Sequence, residues 1–216
     1  MNPEQEKPSS IWSRLSELLL DLIFYLPCGG ESHFRKKCAN FARPIEGDRV
    51  LDLCCGTGML TLLIAGHTGP SGQVIGGDIS GPALEIARAR IPNLPVMFLK
   101  TSAENLPFTP SGFDECFISF GLHHMTGQAR RNTLREVRRI LRAGGSLFII
   151  DYNLPERTLA RLMTRALVKL DRSEEAYKLL VNHRLLTEVQ QAGFEIRRRE
   201  LAGRGMVQLV EAVNTH

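Results

Sequence analysis

Three groups of residues in this 216-residue chain have types and spacings that suit chemistry. The first is the run Asp52-Leu53-Cys54-Cys55-Gly56-Thr57-Gly58. Two glycines one residue apart let a backbone turn tightly and approach a ligand closely. A helix starting at Met59 would aim its unpaired amides into the same space. A purely structural turn uses the same glycines, so the loop alone does not establish a ligand. The second is Asp78, twenty residues after Gly58. A carboxylate at the end of the next strand can accept two hydrogen bonds from a ribose diol; with Ser80 and Pro82 following, it also suits a helix cap. The third is the pair His123-His124. Imidazole titrates near neutrality and can act as a general base, although hydrogen bonding within a loop is the plainer role. Asp151 and Tyr152 are further candidates, and Asp151 fits a cap equally well.

The details of the loop restrict the ligand. A nicotinamide-dinucleotide loop would read G-x-G-x-x-G, but Met59-Leu60-Thr61 follow Gly58 and the third glycine is missing. The phosphate-binding pattern G-x-x-x-x-G-K-[ST] does not occur. Asp52 is unwelcome beside a phosphate and suits a cationic ligand, an ammonium or a sulfonium. No metal is expected, because adjacent histidine side chains diverge and no acid nearby completes a site. The five cysteines, Cys28, Cys38, Cys54, Cys55 and Cys116, match no zinc or disulfide framework and read as reduced thiols of a cytoplasmic protein.

The elements that must position these residues alternate between strand and helix. Short apolar runs at Val50–Cys54, Gln73–Asp78, Val96–Leu99, Asp114–Phe120 and Ser146–Tyr152 predict buried strands. Helices are expected at Met59–Ala65, Pro82–Arg90 and Arg130–Arg142, the last broken by Ala143-Gly144-Gly145. Such alternation gives right-handed crossovers and a parallel sheet covered on both faces, with ligands beyond the carboxyl ends of the strands. Phe194–Leu201 and Met206–Val213 predict a closing antiparallel hairpin around Ala202-Gly203-Arg204-Gly205. Ahead of the sheet, Ser10 suits the cap of a helix over Ile11–Leu26, and Glu31–Phe41 predicts another. Residues 1–44 thus read as a helical lid and 45–216 as the ligand-binding domain.

The motifs taken together resemble class I S-adenosylmethionine-dependent methyltransferases. VLDLCCGTG resembles their first motif, GGDIS the next, and SAENLPF the segment that walls the adenine. FDECFISFGLHHM and LREVRRILRAGGSLFIIDY resemble strands four and five with their connecting helix. The closest group is the ubiquinone/menaquinone biosynthesis type, and the likeness covers roughly residues 45–152. It implies an α/β, Rossmann-like fold with a seven-stranded, mostly parallel sheet, and S-adenosyl-L-methionine as cofactor. Carried over position by position, Asp52, Gly56 and Gly58 face the methionine half of the cofactor, joined by Cys54 and Thr57. Asp78 holds the ribose and Ile79 packs on the adenine. Ser102, Ala103 and Glu104 lie at the adenine edge, and Phe120 beside the cofactor. Two positions depart from the pattern. Ser102 stands where the family often has an acid, and His123-His124 where the quinone enzymes often have Arg-Asn.

The expected function is therefore methyl transfer to a small or lipid-like acceptor, with a quinone among the alternatives and His123 or His124 as base. A non-catalytic cofactor-binding relative and a nicotinamide-dependent oxidoreductase are the competing readings. Arg157, Arg161, Arg165 and Lys169 share one face of a helix over Thr158–Leu170, with Leu159, Leu162, Met163, Ala166, Leu167 and Leu170 opposite. The ordinary reading is a solvated basic face over a core-packed leucine stripe; contact with an anionic membrane surface is the alternative. Net charge is only +4 and aromatics only 6%, so a nucleic-acid platform is not expected. Either a monomer or a homodimer is compatible with this reading.

Overall fold

The computed structural model describes residues 29–91, 95–170, 179 and 184–215. The helix expected over Ile11–Leu26, with its cap at Ser10, lies outside the described residues, as do the side chains of residues 167–170. Elements follow the order α1 (Glu31–Ala42), β1 (Arg49–Leu53), α2 (Met59–Thr68), β2 (Gln73–Asp78), α3 (Gly81–Arg90), β3 (Val96–Lys100) and β4 (Phe113–Ser119). A 3-10 turn at Leu122–His124 leads to α4 (Gly127–Ile140), β5 (Leu141–Tyr152), α5 (Thr158–Leu170), α6 (Arg184–Gln191), β6 (Phe194–Ala202) and β7 (Val207–Asn214).

The seven strands form one sheet in the order β3-β2-β1-β4-β5-β7-β6. β1 to β5 run parallel, and β7 pairs antiparallel with both β5 and β6. Strand order reverses between β1 and β4, and such a switch point opens a crevice beyond the carboxyl ends of the strands. Side chains alternate between two apolar layers. Leu51, Cys116, Ile118, Leu147 and Ile149 face the layer under α4 and α6. Val50, Phe117, Phe148 and Ile150 face Phe34, Cys38, Leu60 and Ile64 of α1 and α2. Asp52 shares the parity of Val50, so its carboxylate is carried under α1 and α2.

Two features differ from the sequence-based expectation. Helix α4 ends at Ile140, and Ala143-Gly144-Gly145 lie inside β5. The pairing jumps from Phe113↔Leu141 to Glu115↔Ser146, so the small residues form a bulge rather than a helix stop. On α5, Leu159 and Leu162 do not meet the core. Leu159 and Leu162 are 71% and 58% exposed, while Thr164 on the other side is buried. Periodicity identifies an apolar face but not what covers it. The arginines of α4 are largely structural. Arg130 is buried against Glu188, Arg139 bonds Glu136 and the Leu106 and Phe108 carbonyls, and Arg142, past the helix end, pairs with Asp114. Among the described residues, no helix is long and apolar enough to cross a membrane.

Candidate active site

The site is built at the switch point. After β1, Cys54 turns with φ +61 and Gly56 with φ +53; after β4, Phe120 turns with φ +53. Left-handed backbone at Cys54 and Phe120 costs on the order of 1–3 kcal/mol each. Both strained residues line the same cavity. A Cβ placed on Gly56 would meet nothing within 4 Å, so the loop leaves room for a ligand there. Gly58 differs. It precedes α2 with φ +76, and a Cβ there would lie 3.0 Å from the Ala87 Cβ. Gly58 lines none of the cavities described below; its part is to let the loop pack against α3.

Asp78 is already engaged with the backbone. Its Oδ2 accepts from the Gly56 amide and its Oδ1 from the Ser80 amide, both at 2.8 Å. These bonds tie the glycine loop to the end of β2 and leave carboxylate lone pairs for a diol. Beyond it, Ile79 is 72% exposed, an unusual setting for a large aliphatic residue, and it lines a cavity of about 430 Å3. That volume lies inside the roughly 300–1,000 Å3 range of small-molecule sites. Cys54, Gly56, Asp78, Ser102, Ala103, Glu104 and Phe120 share its walls, and His124 closes one side. Thr101, Met125 and Ala129 also line it and were not foreseen, because nothing in their types marks them.

A smaller adjoining cavity of about 150 Å3 lies between Asp52, Cys54, Gly56, Thr57, Ser119 and Arg35. Asp52 is 0% exposed. The Thr61 hydroxyl donates to its Oδ2 at 2.5 Å, and its Oδ1 has no partner. Burial pushes its pKa up to about 6, against the pull of the Thr61 bond and of the Arg35 charge. An orphaned, buried oxygen on a carboxylate that lines a cavity calls for a donor. The ammonium and sulfonium of S-adenosylmethionine fit this arrangement: open room over Gly56, an anionic floor at Asp52, and a flat apolar ledge at Ile79.

The two histidines are separated. His124 is exposed and faces the large cavity. His123 is 3% exposed and lines another cavity of about 90 Å3, with Tyr152, Asn153, Leu154, Leu185, Leu186 and Arg199 around it. Its Nδ1 lies 2.7 Å from Asp151 Oδ1, and its amide donates to Asp151 Oδ2 at 3.3 Å. Asp151 also accepts from the Tyr152 amide at 2.7 Å. Asp151 therefore caps nothing downstream; it holds the 3-10 turn and the imidazole. Only the partnership of His123 with a residue 28 positions later reveals this role. The Phe120 ring packs 5.5 Å from Tyr152 and 6.3 Å from His123, so it stands between the two cavities.

A doubly wound sheet with a glycine loop, a ribose-height acid and a buried acid at the switch point defines a class I S-adenosylmethionine-dependent methyltransferase. Residues 26–169 match the ubiE/COQ5 methyltransferase family, and the chain belongs to that family. An uncharacterized methyltransferase of Synechocystis sp. is 31% identical over 194 residues, 90% of this chain and 89% of that protein. The ubiquinone/menaquinone biosynthesis C-methyltransferase UbiE of Pseudomonas savastanoi pv. phaseolicola is 35% identical over 151 residues, 68% of this chain and 57% of that enzyme. This chain therefore spans little more than half the length of that enzyme. The solved structure of a SAM dependent methyltransferase from Aquifex aeolicus has the same fold, with a TM-score of 0.69 at 19% identity, covering 96% of this chain and 99% of that one.

Proposed function

We propose that this enzyme methylates a small, lipid-like acceptor of the quinone type in its reduced, hydroxyl-bearing form, with His123 as the base. The observation that carries this reading is the His123–Asp151 pair on the wall of a cavity edged by leucines, one aromatic ring from the cofactor cavity. When bound, S-adenosylmethionine supplies an electrophilic methyl group on a positively charged sulfur. Asp52, Gly56 and Asp78 hold its amino-acid end and ribose, and Ile79 carries its adenine. Asp151 accepts the Nδ1 proton of His123, which fixes the tautomer whose basic atom is Nε2. Nε2 then takes the proton that an acceptor hydroxyl gives up as its oxygen, or the ring carbon it activates, gains the methyl group. Asn153 and Arg199 supply polar atoms for the ring oxygens, and Leu154, Leu185 and Leu186 an apolar rim for a tail. Two relatives support the acceptor class: the Pseudomonas enzyme and a 2-phytyl-1,4-naphtoquinone methyltransferase of Synechocystis sp., 30% identical over 162 residues.

The test is transfer of a labelled methyl group to prenylated benzo- and naphthohydroquinones. Label is expected in the hydroquinone, and His123→Ala and Asp151→Asn should each lower turnover by about 100-fold or more, with cofactor affinity unchanged in calorimetry. Absence of label in every hydroquinone overturns the acceptor. Full turnover in His123→Ala removes the base.

A further inference from the structure

The cavity beside His123 is lined from two sides of the protein surface. His123 is buried within it, whereas Arg199, on the edge strand β6, is exposed at its mouth. An exposed arginine keeps most of its rotamer freedom unless something holds it. Arg199 is held. Its Nε donates to Gln208 Oε1 at 3.0 Å and its Nη2 to Asn153 Oδ1 at 2.8 Å. Both amides are buried and fixed in turn. Gln208 Nε2 donates to the Tyr152 carbonyl at 3.0 Å, and Asn153 Nδ2 to the Gly205 carbonyl at 2.7 Å. The neighbouring Arg197 and Arg198 both pair with Glu211, whereas the partners of Arg199 are neutral. A guanidinium carries five N–H donors; these two bonds leave three for a ligand. Asp151, the acid lining the same cavity, is already engaged by the His123 imidazole and by the His123 and Tyr152 amides. The cavity thus combines a buried imidazole, leucine walls and a fixed cation whose charge is not balanced by an adjacent acid.

We propose that Arg199 binds a carboxylate carried by the acceptor, so that the preferred substrate is a hydroquinone bearing a ring carboxylate rather than a neutral one. The inference rests on the acceptor reading of this cavity and narrows it. A planar fork of donors matches a planar carboxylate. One cation balances one negative charge, whereas a phosphate monoester would bring nearly two into a cavity that already holds Asp151. A guanidinium fixed before the ligand arrives loses little freedom on binding it, and that preorganisation favours an anion over a neutral ring. With the carboxylate at the mouth and the apolar substituent against Leu154, Leu185 and Leu186, the ring is turned with a hydroxyl toward His123. The closing hairpin, through Arg199 and Gln208, therefore selects the acceptor.

The test is labelled methyl transfer by the full chain to three acceptors built on one alkyl-substituted hydroquinone ring: the ring carboxylate, its carboxamide, and the ring with neither group. In the unaltered protein kcat/KM for the carboxylate should exceed that for the carboxamide by about 10- to 100-fold, the factor a charged hydrogen bond supplies, with the difference in KM. In Arg199→Gln that ratio should fall to about one, while calorimetric affinity for S-adenosylhomocysteine stays within about twofold, which also shows that the variant folds. Arg199→Lys should recover part of the ratio, since it keeps the charge but not the fork. Equal kcat/KM for all three acceptors in the unaltered protein, or an unaltered ratio in Arg199→Gln, overturns the inference and leaves the hydroquinone reading standing. Label in none of the three overturns both.

Discussion

Asp52 is held in a state that destabilises the protein without its ligand. Its pKa is raised to about 6 from a usual value near 4, first by burial. A group whose folded pKa is raised contributes stability below its unfolded pKa and loses it as pH rises through the folded one. At pH 7.5 the cost approaches about 3 kcal/mol. Asp52→Asn should therefore raise the unfolding temperature of the ligand-free protein at pH 7.5 by roughly 6–12 °C for a chain of this size. The gain should fall to about half by pH 5 and approach zero only below about pH 4, where the carboxyl is protonated in the unfolded chain as well. The same variant should bind S-adenosylhomocysteine more weakly, because Asn presents an amide NH2 where an acceptor is needed. Thermal unfolding across pH checks the first outcome and calorimetry the second. Asp52, Asp78 and the loop were legible in the sequence because adjacent strands deliver them at fixed spacing. Arg35 and the Asp151–His123 bond were not, since both depend on residues far apart in the chain meeting in space.

At the scale of elements, α6 is pinned to α4 by charge. Arg130, 2% exposed, donates through Nε and Nη2 to the Glu188 carboxylate at 2.7 and 3.1 Å. Its Nη1 donates to the Met125 carbonyl at 2.6 Å. Removing one partner of a buried pair leaves the other charge uncompensated, so Glu188→Ala should cost about 3–5 kcal/mol in chemical denaturation. Leu185 and Leu186 on α6 line the His123 cavity. The KM for the acceptor should rise in this variant, while the cofactor Kd holds. The strands and most helices could be read from apolar runs and their punctuation. The β5 bulge could not, because Gly144-Gly145 signals a break equally well in a helix or a strand, and only pairing with β4 decides. The leucine face of α5 was visible, but its covering was not, since Leu159 and Leu162 turn outward.

For the molecule as a whole, the two ends of the sheet carry different electrostatic burdens. The cofactor end holds Asp52 and Asp78; near the opposite end of β4, Glu115 lies buried with an unpartnered Oε2. Burial, then the neighbouring Asp48, Asp114 and Glu211, push its pKa up to about 8. The sign is the same as for Asp52: stability is lost as pH climbs through 8. This contribution to the unfolding temperature should fall between about pH 5 and 8 and level off above that, and Glu115→Gln should flatten the fall while leaving methyl transfer at pH 7 unchanged. A persistent fall in the variant would assign the loss to other groups.

An enzyme that stores an alkylating sulfonium must not become its own acceptor. Cys54 forms part of the wall at both cavities of the site, within reach of that hazard. Burial first, and then the Asp78, Asp52 and Asp151 charges, push its thiol up to about 12. Since the thiolate is the nucleophile, the group stays in its unreactive thiol form at neutral pH. The burial and acidic charge that surround this thiol thereby hold the sulfur in its unreactive form.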